Sequence, residues 1–274
     1  MQPSEVQPAS RASHWPEYVI EAAGLGCFMV SACAFGVVLG HPASPVVRAI
    51  GSPFLLRACM GLAMGLTAAA LVLSPWGKRS GAHFNPAVTL TFLRLGKVEL
   101  RDALFYVGAQ VVGGLGGVAL AAWIFGDRLA DPAVRYVVTA GGYGRGVAFA
   151  AELTISFGLM SAVLHFAGTP SLNRYTAFVA GALVAAFITF EAPLSGMSMN
   201  PARSLASAAH AHWWSAFWIY VTAPPLGMLA AAELRGRLAS LPEPPCAKLH
   251  HDNPARCIFR CAYPHREETF RGSV

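Results

Sequence analysis

The sequence predicts an all-α membrane protein of six transmembrane helices plus two re-entrant half-helices in inverted repeats, and three observations carry that expectation. Of the 274 residues, 55% are hydrophobic and only 12% are charged, with a mean hydropathy of +0.48. A soluble domain carries about 25% charged residues, so this composition excludes a disordered chain, a coiled coil and most soluble enzymes. Six apolar runs approach the roughly 20 residues that a helix needs to cross the hydrocarbon. Two further apolar pieces, Asn85 to Leu93 and Asn200 to Ala209, are about half as long, and each begins at Asn-Pro-Ala.

Taken in order, residues 1–17 are polar and rich in Pro and Ser. The first run, 18–39, is too long for a signal peptide and lacks a small-residue cleavage site, so it reads as a membrane helix. Further spans are expected at about 54–73, 103–125, 147–167, 175–191 and 213–233, separated by breaks such as HPASP, GDRLADP and GTPSLNR. Gly36/Gly40, Gly61/Gly65 and Gly113/Gly117 have the small-xxx-small spacing that lets helices approach closely in lipid, which is also simply the glycine frequency of membrane helices. The net charge of +6 and pI near 9.2 do not indicate nucleic acid, because the basic residues are scattered over loops and termini. They indicate topology. With both termini inside, that side collects Arg11, Lys78, Arg79, Arg94, Lys97, Arg101, Arg174, Arg235 and Arg237, against Arg48, Arg128, Arg135 and Arg145 outside.

The chain aligns on itself. Ser80-Gly81-Ala82-His83-Phe84-Asn85-Pro86-Ala87 lies over Ser195-Gly196-Met197-Ser198-Met199-Asn200-Pro201-Ala202, and upstream each half carries a glutamate near the start of its first helix, Glu21 and Glu152. Three spans separate corresponding points, so the copies cross the membrane in opposite directions, and two interrupted segments in matching positions point to a transport site. Asparagine is a favoured N-cap, and proline in the first turn lacks a donor that would be unpaired anyway. Two such half-helices meeting end to end present unpaired amides and the positive ends of two dipoles. Irregular backbone at that depth is tolerated only where it is buried in protein or lines water.

SGAHFNPAVT and SGMSMNPARS resemble the two signature loops of the major intrinsic protein family, the aquaporins and glycerol facilitators, over roughly residues 18 to 233. The resemblance implies a channel domain at 18–233, with repeat one at about 18–125 and repeat two at about 147–233, between a cytoplasmic N-terminal segment 1–17 and a cytoplasmic tail 234–274. It implies a passive channel for water and small neutral solutes in the plasma or inner membrane, assembled as a homotetramer with one pore per subunit. Protons and ions would be excluded by the paired motifs Asn85, Pro86, Ala87 and Asn200, Pro201, Ala202 and by a filter arginine, Arg203, a barrier established for aquaporin-type pores. An isolated charge at membrane depth is expensive, which independently marks Arg203 as functional. Glu21 and Glu152 would be acceptors that hold the loop amides, although Glu21 also reads as interfacial. His83 and Gln110 fall where the family places a loop histidine and a third-helix glutamine, and each reads equally as a buried polar group.

The selectivity filter departs from both familiar family patterns. Beside Arg203 the expected positions are Met64 (or Gly65), Ile188 and Met197, a flexible, apolar constriction with few donors for water. Ser204 and Ala208 look like the water-channel side, whereas Tyr220-Val221 resembles neither side, so a glycerol- or urea-type facilitator stays open. A secondary transporter also uses inverted repeats and broken helices. A cation channel would want acidic rings that this chain lacks. No nucleotide-binding loop, catalytic triad or metalloenzyme helix is present in the sequence, so neither an enzyme nor a cofactor is expected. Cys27, Cys33 and Cys59 lie in apolar runs. The tail carries Cys246, His250, His251, Cys257, Cys261 and His265, potential zinc ligands at spacings that match no familiar motif, so a flexible tail without metal is the expectation, with Cys246, Cys257, Cys261 and His265 as the weak alternative. A third Asn253-Pro254-Ala255 in that tail, with no half-helix after it, reads as coincidence.

Overall fold

The structure, a computed structural model, describes residues 13–238, 244–251 and 255–263. Among them there are helices and connecting turns and no strand. In order these are α1 (Trp15–Gly40), α2 (Pro45–Ile50), α3 (Pro53–Leu73), α4 (Pro75–Ser80), α5 (Pro86–Arg94) and α6 (Leu100–Phe125), followed by α7 (Asp127–Ala130), α8 (Arg145–Gly168), α9 (Thr176–Phe190), α10 (Ala192–Ser195), α11 (Pro201–Ala211) and α12 (Phe217–Arg237). Six are long and apolar enough to cross a membrane: α1, α3, α6, α8, α9 with its preceding turn, and α12. An even number of crossings leaves Ser13 and Leu238 on one side, called here the terminal face.

One local rule starts many of these helices. Ser44, Ser52, Ser74, Asn85 and Asn200 each stand before a proline, and each side chain accepts a backbone N–H from the first turn that follows. The cap satisfies an orphan donor, and the proline needs none. The last span differs from the sequence expectation: it starts at Phe217 rather than 213 and runs to Arg237. His212 and Ala216 adopt left-handed φ values of 49° and 56°, which break the apolar run containing Trp213 and Trp214. Pro224 and Pro225 lie inside α12 without ending it, as membrane helices tolerate when neighbours re-satisfy the freed carbonyls.

The packing carries the repeat. The broadest helix pairings are α1 with α6, α8 with α12, and α3 with α9. Repeat one is α1, α3, α6 and repeat two is α8, α9, α12, so the first two pairings are copies of each other and the third joins equivalent helices across the axis. The glycines agree. A Cβ on Gly113 would lie 2.0 Å from the Ala22 carbonyl oxygen, and one on Gly227 would lie 2.3 Å from that of Leu153. At the α3–α9 crossing, a Cβ on Gly65 would meet the Gly181 carbonyl and one on Gly181 would meet that of Gly65. Gly36 and Gly40 do not join helices; they face Val134, Val137 and Ala133 of the segment connecting the repeats.

Candidate functional site

Each half-helix is reached by a matching irregular loop. After α4, Gly81, Ala82 and Phe84 take φ values of 97°, 57° and 46°; after α10, Gly196, Met197 and Met199 take 88°, 49° and 52°. Such left-handed residues release backbone amides from helical pairing, so something else must hold them. Glu21 does so in repeat one. It is fully buried, its Oε1 accepts from Ser80 Oγ at 2.8 Å and the His83 amide at 3.1 Å, and its Oε2 accepts from the Phe84 amide at 2.7 Å and Gln110 Nε2 at 2.8 Å. Glu152 repeats the pattern, accepting from Ser195 Oγ at 2.8 Å and from the Ser198 and Met199 amides at 2.6 and 2.8 Å. The interfacial reading of Glu21 is thereby set aside, because its carboxylate has no exposure.

Sequence reasoning missed a second matched pair. The Tyr106 hydroxyl on α6 donates to the Ser80 carbonyl at 2.7 Å, and the Tyr220 hydroxyl on α12 donates to the Ser195 carbonyl. Both tyrosines sit in apolar runs, where an aromatic reads as core. The only sequence signal was their matching place in the third helix of each repeat.

The two loops meet through the asparagines. Asn85 Oδ1 accepts the Ala87 amide at 2.9 Å while its Nδ2 donates to the Met199 carbonyl at 2.7 Å. Asn200 Oδ1 accepts the Ala202 and Arg203 amides at 3.1 and 3.2 Å while its Nδ2 donates to the Phe84 carbonyl at 2.8 Å. Each side chain therefore caps its own half-helix and clamps the residue preceding the other asparagine. A primary amide has two N–H groups, so one remains on each side chain after the clamp is made.

Arg203 follows in the first turn of α11. Its Nη1 is buried without a hydrogen-bond partner among the described residues, and no ion pair of it is formed there. Cys33, Glu152 and Tyr220 act on it electrostatically, and the oxygens of Glu152, the carboxylate among them, are already taken by Ser195, Ser198 and Met199. Met64 is buried in α3 with its sulfur accepting from Ser31 Oγ at 4.0 Å, Ile188 is half-buried in α9, and Met197 is buried in the second loop. On the far side of the junction, the connecting segment reaches back, with Thr139 Oγ1 and Ser198 Oγ both hydrogen-bonded to Ser204 Oγ. A surface cleft between α1 and α6, lined by His14, Tyr18, Asp102 and Phe105, lies away from this junction.

His83 is enclosed. Its Nδ1 bonds Thr89 Oγ1 at 3.1 Å, its Nε2 bonds the Ala247 carbonyl at 2.9 Å, and its ring stacks between Phe92 and Phe259 at centroid distances of 5.3 Å each. Ala247 and Phe259 belong to the tail, which departs from the sequence expectation of a flexible segment: its described parts fold against the terminal face. Cys246, His251, Cys257 and Cys261 bring their ligand atoms within 4.8 Å of one another. His265, Asn253 and Pro254 lie outside the described residues. Beside the cluster, Lys248 is almost fully buried, its Nζ donating to the carbonyls of Ala255 and Arg256 at 3.1 and 2.8 Å. Burial holds its ammonium below the ordinary lysine range, offset in part by the three thiols.

The family model described as Major intrinsic protein matches residues 9–234. Similar proteins include Aquaporin NIP6-1 of Arabidopsis thaliana, 36% identical over 169 residues, covering 61% of this chain and 53% of that protein. A Probable aquaporin NIP-type of Nicotiana alata is 36% identical over 172 residues, covering 61% of each chain. The chain thus spans between about half and three-fifths of the length of these relatives. Among solved structures, the aquaglyceroporin from Plasmodium falciparum has a TM-score of 0.68 at 18% identity, covering 83% of this chain and 98% of that one, a likeness of fold.

Proposed function

The chain belongs to the major intrinsic protein family, and on that premise we propose that it is a passive transmembrane channel for water and small neutral solutes, with its pore through the half-helix junction. The observation that carries this reading is the reciprocal clamp, Asn85 onto the Met199 carbonyl and Asn200 onto the Phe84 carbonyl. It fixes two helix N-termini against each other while leaving one amide N–H per asparagine for a solute oxygen. The nine residues of α5 and the eleven of α11 each turn a positive dipole end to that point, which opposes protons and other cations. Arg203, with a buried Nη1 that no described group satisfies, adds a fixed charge and a donor for solutes. Glu21 and Glu152 hold the loops in which this happens, and a channel of this kind needs no chemistry and no cofactor.

Met64, Ile188 and Met197 complete the filter in this reading. Their apolar, partly flexible side chains favour a second reading, a facilitator for glycerol, urea or another small neutral solute. The termini are assigned to the cytoplasm because Lys78, Arg79, Arg94, Lys97, Arg101, Arg174, Arg235 and Arg237 flank the terminal face. The cell membrane is the assigned location. Assembly as a homotetramer is proposed from the family resemblance, and cross-linking in membranes tests it by a ladder ending at four subunits. Stopped-flow light scattering on proteoliposomes tests the function: an impermeant osmolyte gradient produces fast shrinkage if water passes, and a glycerol or urea gradient produces re-swelling if the solute passes. Saturation of flux, or its dependence on a sodium or proton gradient, would instead indicate a secondary transporter.

A further inference from the structure

The tail is tied to the terminal face at points spread around it. The Leu249 amide donates to the Gly81 carbonyl at 3.1 Å, the Arg260 amide to the Lys97 carbonyl at 3.0 Å, and the His251 amide to Asn173 Oδ1 at 3.0 Å. Arg256 Nη2 reaches both the Ser13 carbonyl and the fully buried Glu17 carboxylate at 2.9 Å. These partners belong to the start of α1, the loop before α5, the loop before α6 and the loop after α8. Among them is the loop that leads to Asn85.

The tail also packs against that loop. Cys246, Ala247, Leu249 and Phe259 share one apolar cluster with Ala82, Phe92, Met197 and Met199, so packed side chains continue from the two asparagine loops into the tail. The Gly81 carbonyl and the His83 ring nitrogen Nε2 are both engaged by tail atoms. A Cβ on Gly81 would come within 2.7 Å of the Phe259 ring, which shows how closely the ring is seated.

Pro244–His251 and Ala255–Tyr263 contain no helix or strand, and so short an irregular segment does not hold a fold without a staple. The four clustered side chains supply one. Cys246 and His251 come from the first segment, Cys257 and Cys261 from the second, with Cys246 Sγ to Cys257 Sγ at 3.4 Å and Cys261 Sγ to His251 Nε2 at 3.0 Å. A tetrahedron with Zn–S near 2.3 Å and Zn–N near 2.0 Å has edges of about 3.5–3.8 Å, close to this spacing. Three thiolates and an imidazole complete a closed structural zinc set, and the negative charge they leave on the metal complex is matched by buried Lys248.

We propose that Cys246, His251, Cys257 and Cys261 bind one zinc ion, and that this metal holds the tail as a plug in the terminal-face mouth of the pore. The metal site stands on the cluster alone, whereas the plug rests on the channel reading above. Zinc binding closes the mouth; zinc loss unfolds the two segments and frees Gly81, His83 and the mouth.

The test uses the full chain. Purified without chelator, it should carry about one zinc per chain by atomic emission, and the Cys257→Ser and His251→Ala variants should lose most of it. Cys27→Ser and Cys59→Ser, far from the tail, should keep it. In proteoliposomes, a membrane-permeant zinc chelator should speed osmotic shrinkage by about 5- to 150-fold, the usual range for coupling between two sites, and added zinc should reverse the change. Cys257→Ser should be fast from the outset. Absence of zinc from the full chain overturns the site. Zinc present, with flux equally fast before and after chelation, overturns the plug. Opening by a thiol reductant alone would mean a Cys246–Cys257 disulfide is the clasp and also overturns the proposal. A stripped chain that retains its fold but passes neither water nor solute refutes the channel reading and the plug with it, and leaves the zinc measurement standing.

Discussion

Removing the two buried glutamates tests the loop architecture quantitatively. In Glu21→Ala, the His83 and Phe84 amides lose their acceptor, and Ser80 Oγ and Gln110 Nε2 lose a partner that rotation can replace. In Glu152→Ala, the Ser198 and Met199 amides are stranded. A buried donor left unmade costs about 1–3 kcal/mol, so each alanine variant should lose roughly 2–6 kcal/mol. The glutamine variants separate this account from simple loss of volume. An amide keeps one oxygen, so Glu152→Gln strands only the Met199 amide, whereas Glu21→Gln strands that of Phe84 and turns Gln110, whose Oε1, without a partner among the described residues, accepts from the new amide while its Nε2 gives up Thr89 Oγ1. Glu152→Gln should cost about 1–3 kcal/mol, and Glu21→Gln more than that by the lost Gln110–Thr89 bond, about 0.5–1.5 kcal/mol. Thermal and denaturant unfolding in detergent, followed by tryptophan fluorescence, ranks the four variants against the parent. Alanine variants as stable as the parent, or glutamine variants worse than alanine, would refute the idea that satisfied loop amides are what the glutamates supply.

Other expectations follow from the same geometry. Arg203→Val should raise passage of larger solutes and of cations in proteoliposomes; unchanged selectivity would remove Arg203 from the filter. Met64→Phe combined with Ile188→His should raise the ratio of water to glycerol permeability, and a constant ratio would mean that those positions do not face the pore. Gly113→Ala and Gly227→Ala should destabilise to a similar degree, by about 1–3 kcal/mol each, because either Cβ would run into a backbone carbonyl of the partner helix. Comparable apparent melting temperatures for the two variants, both below the parent, check this.

The legible parts of this molecule were those where one residue does one backbone job. Asn85 and Asn200 as N-caps, Pro86 and Pro201 behind them, and a glutamate per repeat are identifiable because few other residues can fill those roles. The helix order followed from hydropathy, and the error at 213–217 arose because Trp213 and Trp214 add apolar weight that the left-handed His212 and Ala216 keep out of the helix. Tyr106 and Tyr220 were hidden because their rings suit an apolar run, and only the fold shows where the hydroxyls end. Gly36 and Gly40 carried the helix-pairing spacing yet face a loop, since spacing records a small surface and not its partner. The tail was least legible: its ligands fall in two segments that only the terminal face brings together, and His251 stands where the sequence weighed His265.

The measurement closest to the central claim is water flux through the zinc-stripped full chain in proteoliposomes under an impermeant osmolyte gradient, set against the same chain carrying Asn85→Asp and Asn200→Asp. The account predicts fast shrinkage with weak temperature dependence and no proton leak for the parent. In the double variant the clamps onto Met199 and Phe84 are lost and two negative charges stand at the positive helix ends, so protons and cations should leak. Shrinkage no faster than in protein-free vesicles, or identical ion exclusion in both chains, would contradict it.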